Sequence, residues 1–140
     1  MKAADVDRVV LKHDLDGVDF EQLAELYRRA YEVPMTARRK EKIFRRSYVT
    51  CIALLDGKIV GAGYALSDGE LDATIHGLAV LPELQRRGIG TRVMKSLLRQ
   101  LEGLAVILTA EPQYQAAYRR LGFRPLKTAM GLRFPEGQLE

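Results

Sequence analysis

The sequence predicts a mixed α/β (α+β) domain in which about four helices flank one largely antiparallel sheet. Three observations predict it. Two apolar runs, "YVTCIALL" and "KIVGAGYAL", flank Asp56-Gly57, a strong hairpin signal. A third run, "ATIHGLAV", follows a turn at Ser67-Asp68-Gly69 and extends the hairpin into a three-strand meander. Amphipathic helical patterns stand before and after that meander, and a short continuous apolar run, "LAVILTA", has the form of a further strand buried on both faces.

In chain order, "VDRVVL" is expected as a first strand, broken by "DLDG". A helix then starts at Asp19, a good N-cap with Gln22 three residues on; Phe20, Leu23, Ala24, Tyr27 and Tyr31 recur at helical spacing. Val18 and Leu23 can form a hydrophobic staple around the cap. Val33-Pro34 ends the helix. Thr36 caps a second, charged helix, "ARRKEKIFRRS". The meander follows. After Gly90 a third helix lines up Val93, Met94, Leu97, Leu98 and Leu101, with Arg92, Lys95, Arg99 and Gln100 opposite. "PQYQAAYRRLG" is a short helix with Gly122 at its end, and "FRPLKTAMGLRF" offers closing strand material. The expected order is roughly β-α-α-β-β-β-α-β-α-β(β).

Composition bounds the function. At 140 residues the chain suits a single domain, residues 1–140, with one real core. Hydrophobic residues at 47% and charged residues at 29% exclude a disordered chain. A net charge of +4 suits an anionic small ligand and points only weakly to nucleic acid, for which no recognised motif is present. The paired cations, such as Arg28-Arg29 and Arg38-Arg39-Lys40, fall beside helical patterns and suit solvent-facing surfaces. One cysteine, Cys51, excludes a disulfide framework and suits an inert core position. His13 and His76 are too far apart in sequence to suggest a metal site, so no metal is expected. The start of the chain lacks a signal-peptide core, and no apolar run reaches membrane-spanning length; a cytoplasmic protein with no membrane partner is expected. Exposed strand edges would permit a homodimer.

The chemistry concentrates in "GLAVLPELQRRGIGTRVMKSLL", where an apolar strand joins an amphipathic helix through "QRRGIG". The first N–H groups of a helix lack intrahelical partners and carry partial positive charge. Glycines ahead of them let a ligand approach the backbone, and together they suit phosphate or pyrophosphate. The alternative is that Gly88 and Gly90 merely make a tight turn. No G-x-x-x-x-G-K-[ST] run exists, and Val93 stands where a dinucleotide fingerprint needs its third glycine.

The longer spelling, "LAVLPELQRRGIGT", resembles the central motif of the GCN5-related N-acetyltransferases (GNAT), with Gln85, Gly88 and Gly90 at its defining positions. "AAYRRLGF" resembles the aromatic-Tyr-x-x-LGF signature of the same family through Tyr118, Leu121, Gly122 and Phe123. The order of elements agrees from about Val9 to Phe134, and the chain resembles the short, single-domain bacterial members.

The resemblance implies an acetyl-CoA-dependent N-acetyltransferase in which an amine attacks the thioester directly. It implies that acetyl-CoA lies in a wedge between strands ending near Val80 and Ala110. Backbone N–H groups of Arg86, Arg87, Gly88, Ile89, Gly90 and Thr91 would cradle the pyrophosphate. Backbone groups across Leu78, Ala79 and Val80 would pair with the pantetheine arm, and the Leu78 N–H would donate to the thioester oxygen. Tyr118 would touch the cofactor and protonate the departing thiolate; the alternative is a core aromatic. His76 is the first candidate for the base, two residues before Leu78 and so, by strand alternation, on its face. The alternative for His76 is a wall residue beside the acceptor. "IHGLAV" also resembles the "HALAV" strand of the arylalkylamine-acetylating branch. Histone-type members carry a glutamate where this chain has Thr74, which excludes a carboxylate there. Glu111 is a second candidate base, through water, and Gln113 or Gln115 is available for a cofactor contact. Tyr27 and Tyr31 are expected to border the acceptor, with Tyr114 as packing or a pocket wall. A small-molecule primary amine is the expected acceptor. A protein amine, or a non-catalytic acyl-CoA-binding module of the same fold, is the alternative.

Overall fold

The computed structural model describes residues 3–139 and divides into two compact units, Met1–Leu108 and Thr109–Glu140. The first unit holds a five-stranded sheet in the order β1-β2-β3-β4-β5: β1 Val10–Lys12, β2 Val49–Leu55, β3 Lys58–Ser67, β4 Asp72–Val80 and β5 Ala105–Ile107. The pairs β1/β2, β2/β3 and β3/β4 are antiparallel, and β4/β5 is parallel. Three helices accompany the sheet: α1 Phe20–Tyr31, α2 Ala37–Arg45 and α3 Ile89–Gln100. The second unit carries α4, Pro112–Arg120. The mixed, mostly antiparallel architecture expected from the sequence is therefore present.

Local chemistry accounts for the elements. The Asp19 side chain accepts the N–H groups of Glu21 and Gln22, a cap worth about 1 kcal/mol. Gln22 does not complete a capping box; its side chain accepts the Ile59 N–H at 2.8 Å and ties α1 to β3. Thr36 accepts the Arg39 N–H at 3.1 Å and starts α2. Asp56 and Gly57, at φ 51° and 79°, make the two-residue turn whose twist matches the strands it joins.

Leu23, Leu26 and Tyr27 of α1 and Phe44 of α2 form the core with Ile52, Ile59, Ala62 and Ala79 on one face of the sheet. Fully burying one such large side chain contributes about 1.5–3 kcal/mol. On the other face α3 approaches β3 closely: a Cβ on Gly61 would lie 3.2 Å from Ile89 Cγ2, and one on Gly63 3.0 Å from Leu97 Cδ1.

Three expectations are corrected. Ala3–Arg8 forms a 3-10 helix, so the first strand begins only at Val10. β5 spans three residues of "LAVILTA", because it pairs only with Asp72–Thr74. No strand forms across Phe123–Phe134 among the described residues. Pro125 lacks a ladder donor there, and alternation is confined to Met130, Leu132 and Phe134. No helix among the described residues is long and apolar enough to cross a membrane.

Candidate functional site

The end of β4 departs from regular strand geometry at Gly77. Register runs Tyr64↔His76 and then Ala62↔Ala79, so the ladder slips between them. Gly77 has φ 61°, a left-handed conformation that disfavours a side chain. A Cβ there would also lie 2.6 Å from Tyr64 Cε1. This bulge overturns the expected alternation. The His76 ring stacks on Tyr64 at 5.7 Å, and Tyr64 packs against Phe44 of α2. The Leu78 side chain instead borders the space over Gly63, beside Val93 and Leu97 of α3. His76 and Leu78 therefore present side chains to opposite faces, because one left-handed residue reverses the pleat.

Two tyrosines of α1 fix this bulge. The Tyr27 hydroxyl donates to the Gly77 carbonyl at 2.6 Å, and the Tyr31 hydroxyl donates to the Leu78 carbonyl. Their rings are nearly parallel, 7° apart in plane, with centroids at 6.0 Å. Tyr27 is only 2% exposed, so its ring belongs to the core rather than to a pocket wall, whereas Tyr31 is 48% exposed. Helical spacing puts Tyr27 on the apolar stripe, which is why it turns inward.

Lys40 was unexpected. In sequence it ends a cationic run; in the structure it is 3% exposed, its Nζ 3.3 Å from the Tyr27 ring centroid. Burial, with a smaller contribution from Arg39, pulls its pKa down to about 8. The clue in the sequence is Phe44, one helical turn on and on the same face. Burial also lowers the His76 pKa, favouring the neutral imidazole that can accept a proton.

Beyond the bulge, β4 feeds the turn. The Gln85 side chain donates to the Val80 carbonyl at 3.0 Å and so folds the turn back onto the strand end. Glu83 receives both terminal nitrogens of Arg29, at 2.7 and 3.1 Å, joining this turn to α1. Arg86 adopts φ 64° and Gly88 φ 91°. Gly88 is the N-cap of α3 and offers no capping side chain. The Arg92 N–H reaches the Gly88 carbonyl at 3.0 Å and is the first to close a helical turn. The N–H groups of Ile89, Gly90 and Thr91 precede it and have no partner one turn back. Ile89 is buried and anchors the helix start, whereas Arg86, Arg87 and Thr91 are exposed. A Cβ on Gly88 would meet nothing within 4 Å, so the space above the turn is open. An uncapped helix start with open space over its glycine fits an anionic group such as pyrophosphate.

β4 outruns its parallel partner. β4 pairs with β5 only through Asp72, Ala73 and Thr74, yet continues to Val80. The bulge and Leu78 lie along that continuation, which keeps β3 on one side and lacks β5 on the other, and the turn follows it. Ala79 is buried, so only its backbone could meet a ligand.

In the second unit, the "YRRLGF" signature has a clear physical meaning. The Phe123 N–H donates to the Tyr118 carbonyl at 3.2 Å and the Gly122 N–H to the Arg119 carbonyl at 3.0 Å. Gly122 has φ 98°. This is a Schellman cap, and its usual apolar contact is present: the Tyr118 and Phe123 rings meet edge to face at 6.0 Å. Burial, and less strongly Tyr114, raise the Tyr118 pKa, which keeps its hydroxyl protonated. Glu111 is the N-cap of α4 without a side-chain cap bond, and it accepts the Gln113 amide at 2.6 Å. Gln115 donates to the Ala110 carbonyl at 3.1 Å.

Residues 20–123 match the acetyltransferase (GNAT) family. The chain is 39% identical over 69 residues to an uncharacterized N-acetyltransferase of Porphyra purpurea, covering 47% of this chain and 40% of that protein. It is 31% identical over 117 residues to the chloroplastic serotonin N-acetyltransferase 2 of Oryza sativa subsp. japonica, covering 76% of this chain and 57% of that protein. The chain thus spans about half the length of the curated relatives it matches. A Deinococcus radiodurans R1 crystal structure, itself only provisionally assigned as an acetyltransferase, superposes with a TM-score of 0.82 at 30% identity. That match covers 91% of this chain and 90% of the other.

Proposed function

Because the chain belongs to the acetyltransferase (GNAT) family, we propose that it transfers the acetyl group of acetyl-CoA to a primary amine of a small molecule. The observation that carries this reading is the strand continuation itself: β4 runs past its partner β5, bulges at Gly77 and ends at the uncapped start of α3. Those features suit an extended arm laid along the strand edge that β5 leaves and a pyrophosphate held at the helix start.

Bound acetyl-CoA would supply the activated thioester. The N–H groups from Arg86 to Thr91 hold the pyrophosphate, with Gln85 fixing the turn that presents them. The backbone of Leu78, Ala79 and Val80 aligns the arm. The Leu78 and Val80 carbonyls already accept from Tyr31 and Gln85, so the N–H groups carry the larger share of that pairing. The Leu78 N–H donates to the oxygen that gains charge as the amine attacks. One such donor contributes about 2.7–4 kcal/mol in a comparable oxyanion site. An alkyl ammonium titrates near ~10, so a proton must leave before attack. His76, kept neutral by burial, takes it, with Glu111 as a second route through water. Tyr118 gives a proton to the departing sulfur, and the second proton that the nitrogen sheds as the amide forms returns to the Tyr118 oxygen through solvent.

A thiol-release screen tests this reading, with serotonin, spermidine, an aminoglycoside, free amino acids and a peptide N-terminus as acceptors. The serotonin arm is motivated by the rice relative. Turnover with a small amine supports the proposal. Acetyl-CoA binding without turnover on any arm would favour a non-catalytic module instead.

A further inference from the structure

We propose that Tyr27 is a positioning residue for the transfer step, holding the Gly77–Leu78 peptide so that the Leu78 N–H keeps a fixed direction toward the thioester oxygen. The inference rests on the reading of Leu78 given above and extends it to a residue that does not touch substrate.

One peptide plane sets the direction of the Leu78 N–H. The Tyr27 hydroxyl donates to the Gly77 carbonyl at 2.6 Å. No peptide bond among the described residues is cis, so the Leu78 N–H lies in the same plane and points away from that carbonyl. Fixing the carbonyl therefore fixes the N–H. The constraint matters here because the sheet supplies little of it: the ladder slips at this point, and Gly77 has no side chain to limit rotation. Accepting a hydrogen bond also polarises the amide and strengthens its N–H as a donor. Tyr31 acts in the same way on the next plane, through the Leu78 carbonyl and hence the Ala79 N–H.

Tyr27 is itself immobilised. Lys40 Nζ lies over its ring at 3.3 Å, the Tyr31 ring stacks at 6.0 Å, and the edge of Phe44 meets it at 6.2 Å. A cation over a phenol ring withdraws charge from it and makes the hydroxyl a stronger donor. The chain of influence runs from Lys40 through Tyr27 to the Gly77–Leu78 amide. A ring that merely filled the core would need neither the hydroxyl bond to a bulge carbonyl nor the buried ammonium.

Acetyl-CoA carrying 13C at the thioester carbonyl provides a readout independent of the acceptor. Its isotope-edited infrared band should move to lower frequency on binding the wild-type protein, and Tyr27→Phe should lose half or more of that shift. Acetyl-CoA affinity by calorimetry should stay within about twofold, because the cradle is untouched. Turnover with the best amine from the screen should fall about tenfold or more at unchanged KM. Lys40→Met, which leaves the hydroxyl in place, should lose a smaller part of the shift and serves if Tyr27→Phe does not fold. A shifted wild-type band retained in full by both variants would overturn this inference alone. An unshifted band in the wild-type complex would remove the Leu78 assignment, and this inference with it.

Discussion

Lys40 places its ammonium 3.3 Å from the Tyr27 ring centroid in the interior of the first unit. Burial, and less strongly the neighbouring Arg39, lower its pKa to about 8, so the folded chain disfavours the charged form. The unfolded chain holds this proton up to about pH 10.4, whereas the folded chain releases it near 8. Between those values the unfolded state binds more protons, so stability rises with pH. Below pH 8 both states are charged and the full penalty is present. Lys40→Met should therefore stabilise the protein at pH 7, and its advantage should shrink steadily between pH 8 and 10. Chemical unfolding of both proteins across that range measures the difference. A variant less stable than the parent at pH 7, with a pH-independent gap, would show that the ring contact dominates.

The contrast between Lys40 and Asp19 explains what could be read from the sequence. Asp19, Thr36 and Asp56-Gly57 act through bonds to residues two or three positions away, so their chemistry is written locally. The turn from Gln85 to Gly90 is equally local, and so is the cap that links Tyr118 to Phe123. Lys40, Tyr64 and the hydroxyl of Tyr27 act across elements, on partners 12 to 50 positions away, and no spacing rule encodes that. The His76–Leu78 relationship failed for a different reason. Alternation assumes an unbroken pleat, and Gly77 breaks it; an isolated glycine inside a strand pattern was the available warning.

Gly77 should tolerate no side chain. In Gly77→Ala the new Cβ would sit 2.6 Å from Tyr64 Cε1 and 3.3 Å from Tyr27 atoms, on a backbone at φ 61°. The left-handed conformation alone costs about 1–2 kcal/mol, and the clash with two packed rings adds to it. A fall in Tm of several degrees is expected. Gly57→Ala at φ 79° meets nothing within 4 Å and should cost only the backbone part. Equal losses in the two variants would show that the ring packing at Gly77 is slack.

The acid limb of the pH–rate profile should identify the base. Burial lowers the His76 pKa, so the imidazole stays neutral to a lower pH than an ordinary histidine near ~6.5. With a fixed acceptor, kcat/KM should hold through pH 6.5 and decline below it, and His76→Gln should abolish that decline along with most of the rate. Tyr118, whose pKa is raised, should stay protonated across this range, and Tyr118→Phe should lower kcat without moving the acid limb. An acid limb unchanged in His76→Gln but lost in Glu111→Gln would transfer the role to the carboxylate.

The two glycines of the turn make separable predictions. A Cβ on Gly90 would lie 3.5 Å from Val80 Cγ2 and 4.0 Å from Leu78 Cδ2, both ordinary contacts. Gly90 is inside the first turn of α3, where alanine is the better helix former by roughly 0.5–1 kcal/mol. Gly90→Ala should therefore fold at least as stably as the parent. Its methyl would pack against the Val80 and Leu78 side chains beside the cradle, and acetyl-CoA affinity should fall about tenfold, since even a methyl-sized misfit beside a close backbone cradle is felt. Gly88→Ala meets no atom within 4 Å but forces alanine to φ 91°, so it should lose both stability and affinity. Calorimetry with acetyl-CoA, beside thermal unfolding, separates the two. Unchanged affinity in both variants would mean that pyrophosphate is held elsewhere. Weaker binding by a more stable Gly90→Ala protein would show that this glycine is kept for the ligand and not for the fold.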